Sequence, residues 1–315
     1  MSTACDSFAQ NAGLMNPQAT MIKSNGGAPV PIVSIGMPVY NGAKYIREAL
    51  DSLLAQTFSD FELIISDNAS KDDTAKICQA YAKKDSRIRF VSQSLNQGAL
   101  ANFQYVLDQS RGTFFMWAAA DDKWDRHWVQ SIYTHIKDKP GVAGFGRLIH
   151  VDAKSAALDH TANDAVLSFV GGRLVRSLAF YLAFEGRGKA NLFYALYSRQ
   201  MLRHANLRDR KFDYQILFGL VAYLSYAQVG DARLFKRLHG ESDGVAAASI
   251  WRSPVVLAPW RLLRSDLTVA SHYLQGARLG MRCLLTILMP LKVLVAIRCQ
   301  VAQFLSHRLG RLRRA

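Results

Sequence analysis

Two adjacent carboxylates, Asp121 and Asp122, directly follow the apolar run Phe114 to Ala120. Acids placed at the end of a buried strand are costly unless they reach solvent or a cation. A hard divalent ion takes one or two carboxylates and completes its shell with substrate phosphates, so the pair points to Mg2+ or Mn2+ and a phosphate-bearing ligand. Three further polar clusters precede it: Pro38-Val-Tyr40-Asn41-Gly42, Asp67-Asn-Ala-Ser70 and Asn96-Gln-Gly98. Taken alone, Asn41-Gly42 and Asn96-Gln-Gly98 read equally well as turns, and Asp67 as a turn or cap residue.

Those clusters gain meaning from the elements that must hold them. From Pro31 to Gly146 short β-rich runs alternate with helical patterns, which predicts a parallel sheet with crossover helices. The expected strands are Ile32–Met37, Phe61–Ser66, Ile88–Ser92, Thr113–Trp117 and Val142–Phe145. Ile46, Ala49, Leu50, Leu53 and Leu54 form a helical stripe within Ala43–Ala55. Ser70-Lys-Asp-Asp73 has the form of a capping box opening a helix over Thr74–Lys84. Gly98–Gln109 and Trp124–Lys137 supply two more helices. In open α/β sheets ligands bind beyond the carboxyl ends of the strands, and each polar cluster falls at such an end. After Arg147 the expected order is a helix over Gly172–Phe184, a Gly-rich loop at Glu185–Lys189, a strand at Leu192–Tyr197, a helix from near Asp213 and a strand at Tyr226–Val229. This reads as a second half built onto the same sheet.

The run Val33-Ser-Ile-Gly-Met-Pro38-Val-Tyr-Asn41-Gly, then Gln56-Thr-Phe, Asp67-Asn-Ala-Ser70-Lys-Asp-Asp-Thr74, Asn96-Gln-Gly98 with Asn102, and Asp121-Asp122 resembles the family 2 glycosyltransferases of the GT-A fold. The likeness covers residues 31–130 and thins afterwards to Leu192–Arg199, Phe212-Asp213-Tyr-Gln-Ile-Leu, and Arg237-Leu-His239 followed by Ser242. It implies an α/β GT-A domain over residues 31–250, a mixed sheet flanked by helices, with a nucleotide-sugar-binding half at 31–146 and an acceptor half at 147–250. Carried over by residue, it puts Pro38, Tyr40 and Asn41 against the nucleotide, Asp67 on the base, and Glu48 on the ribose side. Asn102 belongs to the same donor-binding set. Asp121 would touch the ribose or sugar, Asp122 would bind the metal, and Asp213, at a helix start, would be the catalytic base. His239 would lie near the metal or diphosphate, or would be a solvated surface histidine. The chain departs from the family pattern in having Ala119 two residues before the metal pair's first partner position and Phe212 before Asp213. Gln200-Met-Leu-Arg203-His204 is a near match to the processive Q-x-x-R-W motif but ends in His and precedes Asp213, so transfer of a single sugar is expected.

The formal charge of +15 over 315 residues would suit a nucleic-acid binder, but it is not evenly spread. Residues 252–315 hold eleven Lys and Arg against the single acid Asp266, a net +10, and residues 1–251 hold the remaining +5. In the basic tail, 251–315, arginines alternate with long aliphatics and few aromatics, which favours an anionic membrane surface over base stacking and argues for no nucleic-acid partner. The stretch Cys283–Ile297 is broken by Pro290 and Lys292 and falls short of the ~20 apolar residues of a spanning helix. Three readings stand: a helix pair lying on the membrane, one packed on the main domain, or a re-entrant or spanning segment. Residues 1–30 have no apolar run and read as a flexible leader. The cysteines lack metal spacing, and a reduced, cytoplasmic chain is expected, with the membrane reading of the tail placing it peripherally on the inner face of the cell membrane.

The expected partners are therefore a nucleotide diphosphate sugar and a glycan or lipid-linked acceptor, in the making of a bacterial surface polysaccharide. Two rivals differ in class: a metal-dependent nucleotidyltransferase, against which no Gly-rich phosphate loop follows the first strand, and a membrane- or nucleic-acid-docking protein without chemistry.

Overall fold

The computed structural model describes residues 30–160, 162–183, 188–202, 213–238, 279–295 and 297–298. Its centre is a five-stranded sheet in the order β3-β2-β1-β4-β7, built from β1 (Val33–Val39), β2 (Phe61–Asp67), β3 (Ile88–Ser92), β4 (Phe114–Trp117) and β7 (Tyr197–Ser198). The first four are parallel and β7 is antiparallel to β4. All seven residues of both β1 and β2 are buried, as expected of strands covered by helices on both faces. Crossover helices α1 (Ile46–Leu54), α2 (Thr74–Ala82) and α3 (Ala99–Asp108) connect them. In α1 the predicted stripe is the buried face, with Ile46, Ala49, Leu50 and Leu53 against the sheet.

A second, three-stranded sheet has the order β5-β8-β6, from β5 (Lys123–Trp124), β6 (Val142–Val151) and β8 (Ser225–Arg237). The expectation of a single sheet is therefore corrected. Only β7 joins the first sheet, and β6 meets it through one bridge, with Gly144 and Leu196 exchanging N–H···O bonds at 3.0 and 2.8 Å. Helix α4 (Trp128–Ile136) packs on the second sheet and starts later than expected, because Lys123 and Trp124 pair with Phe235 and Leu234 of β8.

β6 and β8 run parallel, with a bulge: Phe145 faces Gln228 while Arg147 faces Arg233. The intervening Gly146 is required there, since a Cβ would lie 2.2 Å from the Ala232 carbonyl oxygen. Beyond the bulge β8 continues to Arg237, eight residues past the expected end at Val229.

The expected strand at Leu192–Tyr197 is instead a 3₁₀ turn over Lys189–Tyr194, leaving only Tyr197–Ser198 as β7. Gly188 sits at φ 76°, Asn191 bonds back to its carbonyl at 2.9 Å, and Lys189 is buried with its Nζ on Phe180 O and Ala183 O. These local bonds compete successfully with strand formation. Ser70 does not cap α2. Its hydroxyl receives the Asn41 N–H, and Asp72 accepts the Thr74 N–H at 3.0 Å instead.

Helix α5 (Arg173–Leu182), the short α6 (Arg199–Leu202) and α7 (Asp213–Val221) complete the central region. Helix α8 (Leu279–Ile287) packs on α5: the Tyr181 hydroxyl donates to Leu285 O at 3.1 Å, and the Lys292 ammonium to Tyr181 O at 2.8 Å.

Candidate active site

The carboxyl ends of β2, β1 and β4 lie side by side, two interstrand steps or about 10 Å across. At the β2 end Asp67 is buried, and among the described residues its carboxylate accepts only long bonds, from Ser70 N (3.3 Å to each oxygen) and Ser92 Oγ (3.4 Å). Such bonds leave much of the acceptor capacity of a carboxylate unused. Asn68 ties this end to the next loop, donating to Asn96 Oδ1 and accepting from Gln97 N.

At the β1 end Pro38 is the sixth residue of the strand and Tyr40 stands 44% exposed, the aromatic face of the rim. Asn41 adopts φ 51°, and its side-chain oxygen accepts the Lys71 N–H at 2.9 Å. With Gly42 N on Thr74 Oγ1 and Ala43 N on Asp72, residues 41–43 are laced to residues 70–74. Asn102 lies behind this rim, buried in α3, with its amide nitrogen on Ser66 O (2.8 Å) and its oxygen receiving Ser66 Oγ (2.6 Å). It braces the residue before Asp67.

The β4 end is built differently. β5 begins one residue after Asp122 and pairs antiparallel with β8, a register that sets Asp122 opposite Lys236 and Asp121 opposite Arg237. The Lys236 ammonium donates to Asp122 Oδ2 at 2.9 Å, and Arg237 N donates to Oδ1 at 3.0 Å. The Asp122 side chain is sealed from solvent, while that of Lys236 is 20% exposed. Burial pushes Asp122 up to about 6, with the Lys236 charge opposing the rise; Lys236, which burial alone would lower, is held above the ordinary lysine range by Asp122. Both leave the pair ionised at neutral pH.

Arg237 is 1% exposed and fully engaged: Nε on Asp121 O (2.9 Å), Nη1 on the Asp152 and Ala153 carbonyls, and Nη2 on Glu48 and Ser155 Oγ. Its guanidinium also lies 4.6 Å from the Tyr45 ring centroid. Glu48, expected on the ribose, is thus spent on Arg237, Ser155 Oγ (2.7 Å) and Lys123 (3.3 Å). Burial would raise its carboxyl, but the Ser155 bond, Lys123 and Arg237 outweigh that and lower it.

Asp213 lies in α7, which is described from Asp213 to Val221. His239, Arg203, His204 and Phe212 lie outside the described residues. Among the described residues no three His, Cys, Asp or Glu side chains gather as a metal site. Each Asp122 oxygen already accepts one donor, one of them a cation, so a divalent ion held there would take the remaining lone pairs and share the carboxylate with Lys236.

Lys236, Arg237 as a structural hub, and Ser155 were missed in the sequence. Their partners lie 114, 115 and 107 positions away, and only the quoted Arg237-Leu-His239 motif marked the neighbourhood.

A largely parallel sheet extended by one antiparallel strand, with acids at the rim where strand order turns outward from β1, defines the GT-A class of α/β fold. The profile described as Glycosyl transferase family 2 matches residues 34–203, more than half of the chain, and the chain belongs to that family. It is similar to an uncharacterized glycosyltransferase of Rickettsia felis, at 32% identity over 142 residues, 44% of this chain and 23% of the relative. It is also similar to the putative teichuronic acid biosynthesis glycosyltransferase TuaG of Bacillus subtilis, at 36% identity over 96 residues, 30% of this chain and 38% of TuaG. The matches thus span well under half the length of these relatives. Among solved structures, S. aureus TarS 1-349 in complex with UDP-GlcNAc shares the fold, with a TM-score of 0.54 at 19% identity, over 78% of this chain and 67% of TarS 1-349.

Proposed function

We propose that this chain transfers a single sugar from a nucleotide diphosphate sugar to a glycan or lipid-linked acceptor, with inversion at the anomeric carbon, in the synthesis of a bacterial surface polysaccharide. The observation that carries the reading is the rim itself: a loosely bonded carboxylate at the β2 end and a charged cluster at the β4 end, on one sheet edge of a family 2 fold. A nucleoside laid along that edge reaches Asp67 and the exposed Tyr40 at one end and brings its diphosphate to Asp121 and Asp122 at the other.

A nucleoside diphosphate leaves only if its growing negative charge is neutralised. A Mg2+ or Mn2+ ion on Asp122 would supply that neutralisation as a Lewis acid, and would have to share the carboxylate with Lys236. The acceptor hydroxyl is not ionised near neutral pH, so a carboxylate must take its proton as the hydroxyl oxygen attacks. Asp213, in α7, is our candidate for that base. Attack from the face opposite the departing diphosphate inverts the configuration.

The C-terminal segment supports a docking role. Ile287 at the end of α8, and Leu291, Leu294 and Ile297 after it, are 73, 44, 62 and 44% exposed, while Leu285 and Lys292 are buried. We assign these exposed side chains to an anionic membrane surface on the cytoplasmic side. Among the described residues no helix is long and apolar enough to cross a membrane.

Incubation with a panel of nucleotide sugars tests the reading. One donor is expected to be hydrolysed or transferred, and Asp213→Asn is expected to slow that turnover by a factor on the order of 100 or more. Unchanged turnover in Asp213→Asn would place the base elsewhere.

A further inference from the structure

Lys236 stands apart from the other charged groups of the rim. Arg237 and Glu48 are consumed by protein partners, and Asp122 is sealed. Lys236 is the charged side chain of this cluster whose ammonium is paired with a sealed carboxylate while its side chain remains a fifth exposed. Its Nζ lies 4.9 Å from the centroid of the Tyr194 ring, which with Asp122 holds the ammonium at one place before any ligand arrives. An ammonium has three N–H donors, and among the described residues Asp122 is its one hydrogen-bond acceptor. The neighbouring His150, opposite Lys236 in the β6–β8 register, is held neutral by burial and adds no competing charge.

We propose that Lys236 binds the diphosphate of the donor. Its ammonium is the resident cation of the β4 end, so nucleoside diphosphate binding persists when divalent ions are removed. The inference rests on the reading that this rim holds a nucleotide sugar with its phosphates at Asp121 and Asp122. It accounts for an otherwise costly arrangement, a buried acid paired to a lysine at the rim where a phosphate is expected. Asp122 then acts as a positioning residue that keeps the ammonium aimed and balances its charge before a ligand arrives.

The test is calorimetric titration of UDP, GDP, ADP and dTDP into the full chain, in EDTA and again in Mn2+. Wild type is expected to bind one of them with an affinity that changes by no more than about three-fold between the two conditions. Lys236→Met is expected to lose about ten- to a hundred-fold in EDTA, the weight of a charge-assisted hydrogen bond, and to recover much of it in Mn2+, since Asp122 is then open to the ion. Lys236→Arg should keep the wild-type pattern. If Lys236→Met is too unstable to titrate, the double variant Lys236→Met, Asp122→Asn removes both charges, and it is expected to bind weakly in both conditions. Wild-type affinity in EDTA for either Met variant, or a wild type that binds only with Mn2+, overturns the role of Lys236. A wild type that binds no nucleoside diphosphate in either condition overturns the donor-site reading beneath it.

Discussion

The two ends of the candidate donor cleft are made by different physics. At the β1–β2 end, residues 41–43 and 70–74 are joined by four hydrogen bonds from backbone N–H groups to short side chains, three of them uncharged and one the Asp72 carboxylate, about 30 positions apart in sequence. At the β4 end, the turn after the strand is fixed by ion pairs: Asp122 on Lys236, and Arg237 on Glu48, over separations of 114 and 189. Single bonds of the first kind each contribute little and allow the loops to adjust to a base. Buried ions tolerate no loss of a partner, and they hold a charged centre at fixed geometry. The comparison assigns adaptability to the nucleoside end and rigidity to the phosphate end.

The largest effect should come from breaking the ionic end. Arg237→Met leaves Glu48 and four carbonyl or hydroxyl oxygens without their donor, and is expected to cost about 3–5 kcal/mol, read as a drop in denaturation midpoint. Arg237→Lys should recover only part, because an ammonium cannot span the same fork.

A somewhat smaller effect should appear as pH dependence. His150 is buried against the His160 ring (centroids 3.7 Å apart), with Asn163 Oδ1 at 2.9 Å from Nδ1 and Lys236 across the strand pair. Burial, with His160 and Lys236 adding to it, pulls His150 down to about 4 from an ordinary 6.5. At this position the unfolded chain takes up a proton as pH falls below 6.5 while the folded chain does not, so the His150 contribution to stability is lost between pH 6.5 and 4, against an opposing gain from Asp122, which burial raises to about 6. The His150 part approaches about 3 kcal/mol. His150→Phe should remove that part, so the variant should gain on wild type as pH falls from 6.5 to 4. A curve equally steep in the variant would assign the loss to other groups.

The smallest effect belongs to the neutral end. Ser70→Ala removes the acceptor of the Asn41 N–H at an exposed position and should cost about 1 kcal/mol or less of stability. It should nonetheless weaken nucleotide binding measurably, because it frees the loop that carries Tyr40. A Ser70→Ala loss as large as that of Arg237→Met would erase the distinction between the two ends.

What could be read from the sequence follows the same division. The strand ends, Asp67 and the Asp121-Asp122 pair were legible because alternation and turn chemistry are local, and β3 came out at Ile88–Ser92 as expected. Ser70 has the form of a cap but secures Asn41, and Asn102 braces Ser66, a partner its type does not announce. Glu48 likewise carries a partner that local sequence does not mark, Arg237, which arrives from the far end of the chain. The second sheet was not legible at all. β5 is two residues long, and the bulge at Gly146 hides the true extent of β8 from any simple alternation.

The most direct measurement is a crystal structure of the chain with the nucleoside diphosphate of whichever sugar donor it turns over. The account predicts the base against Asp67 and Tyr40 at the β2–β1 end, and the diphosphate at Asp121 and Asp122 within hydrogen-bonding reach of the Lys236 ammonium. A nucleotide lying in the reverse direction, or bound away from this sheet edge, would contradict it.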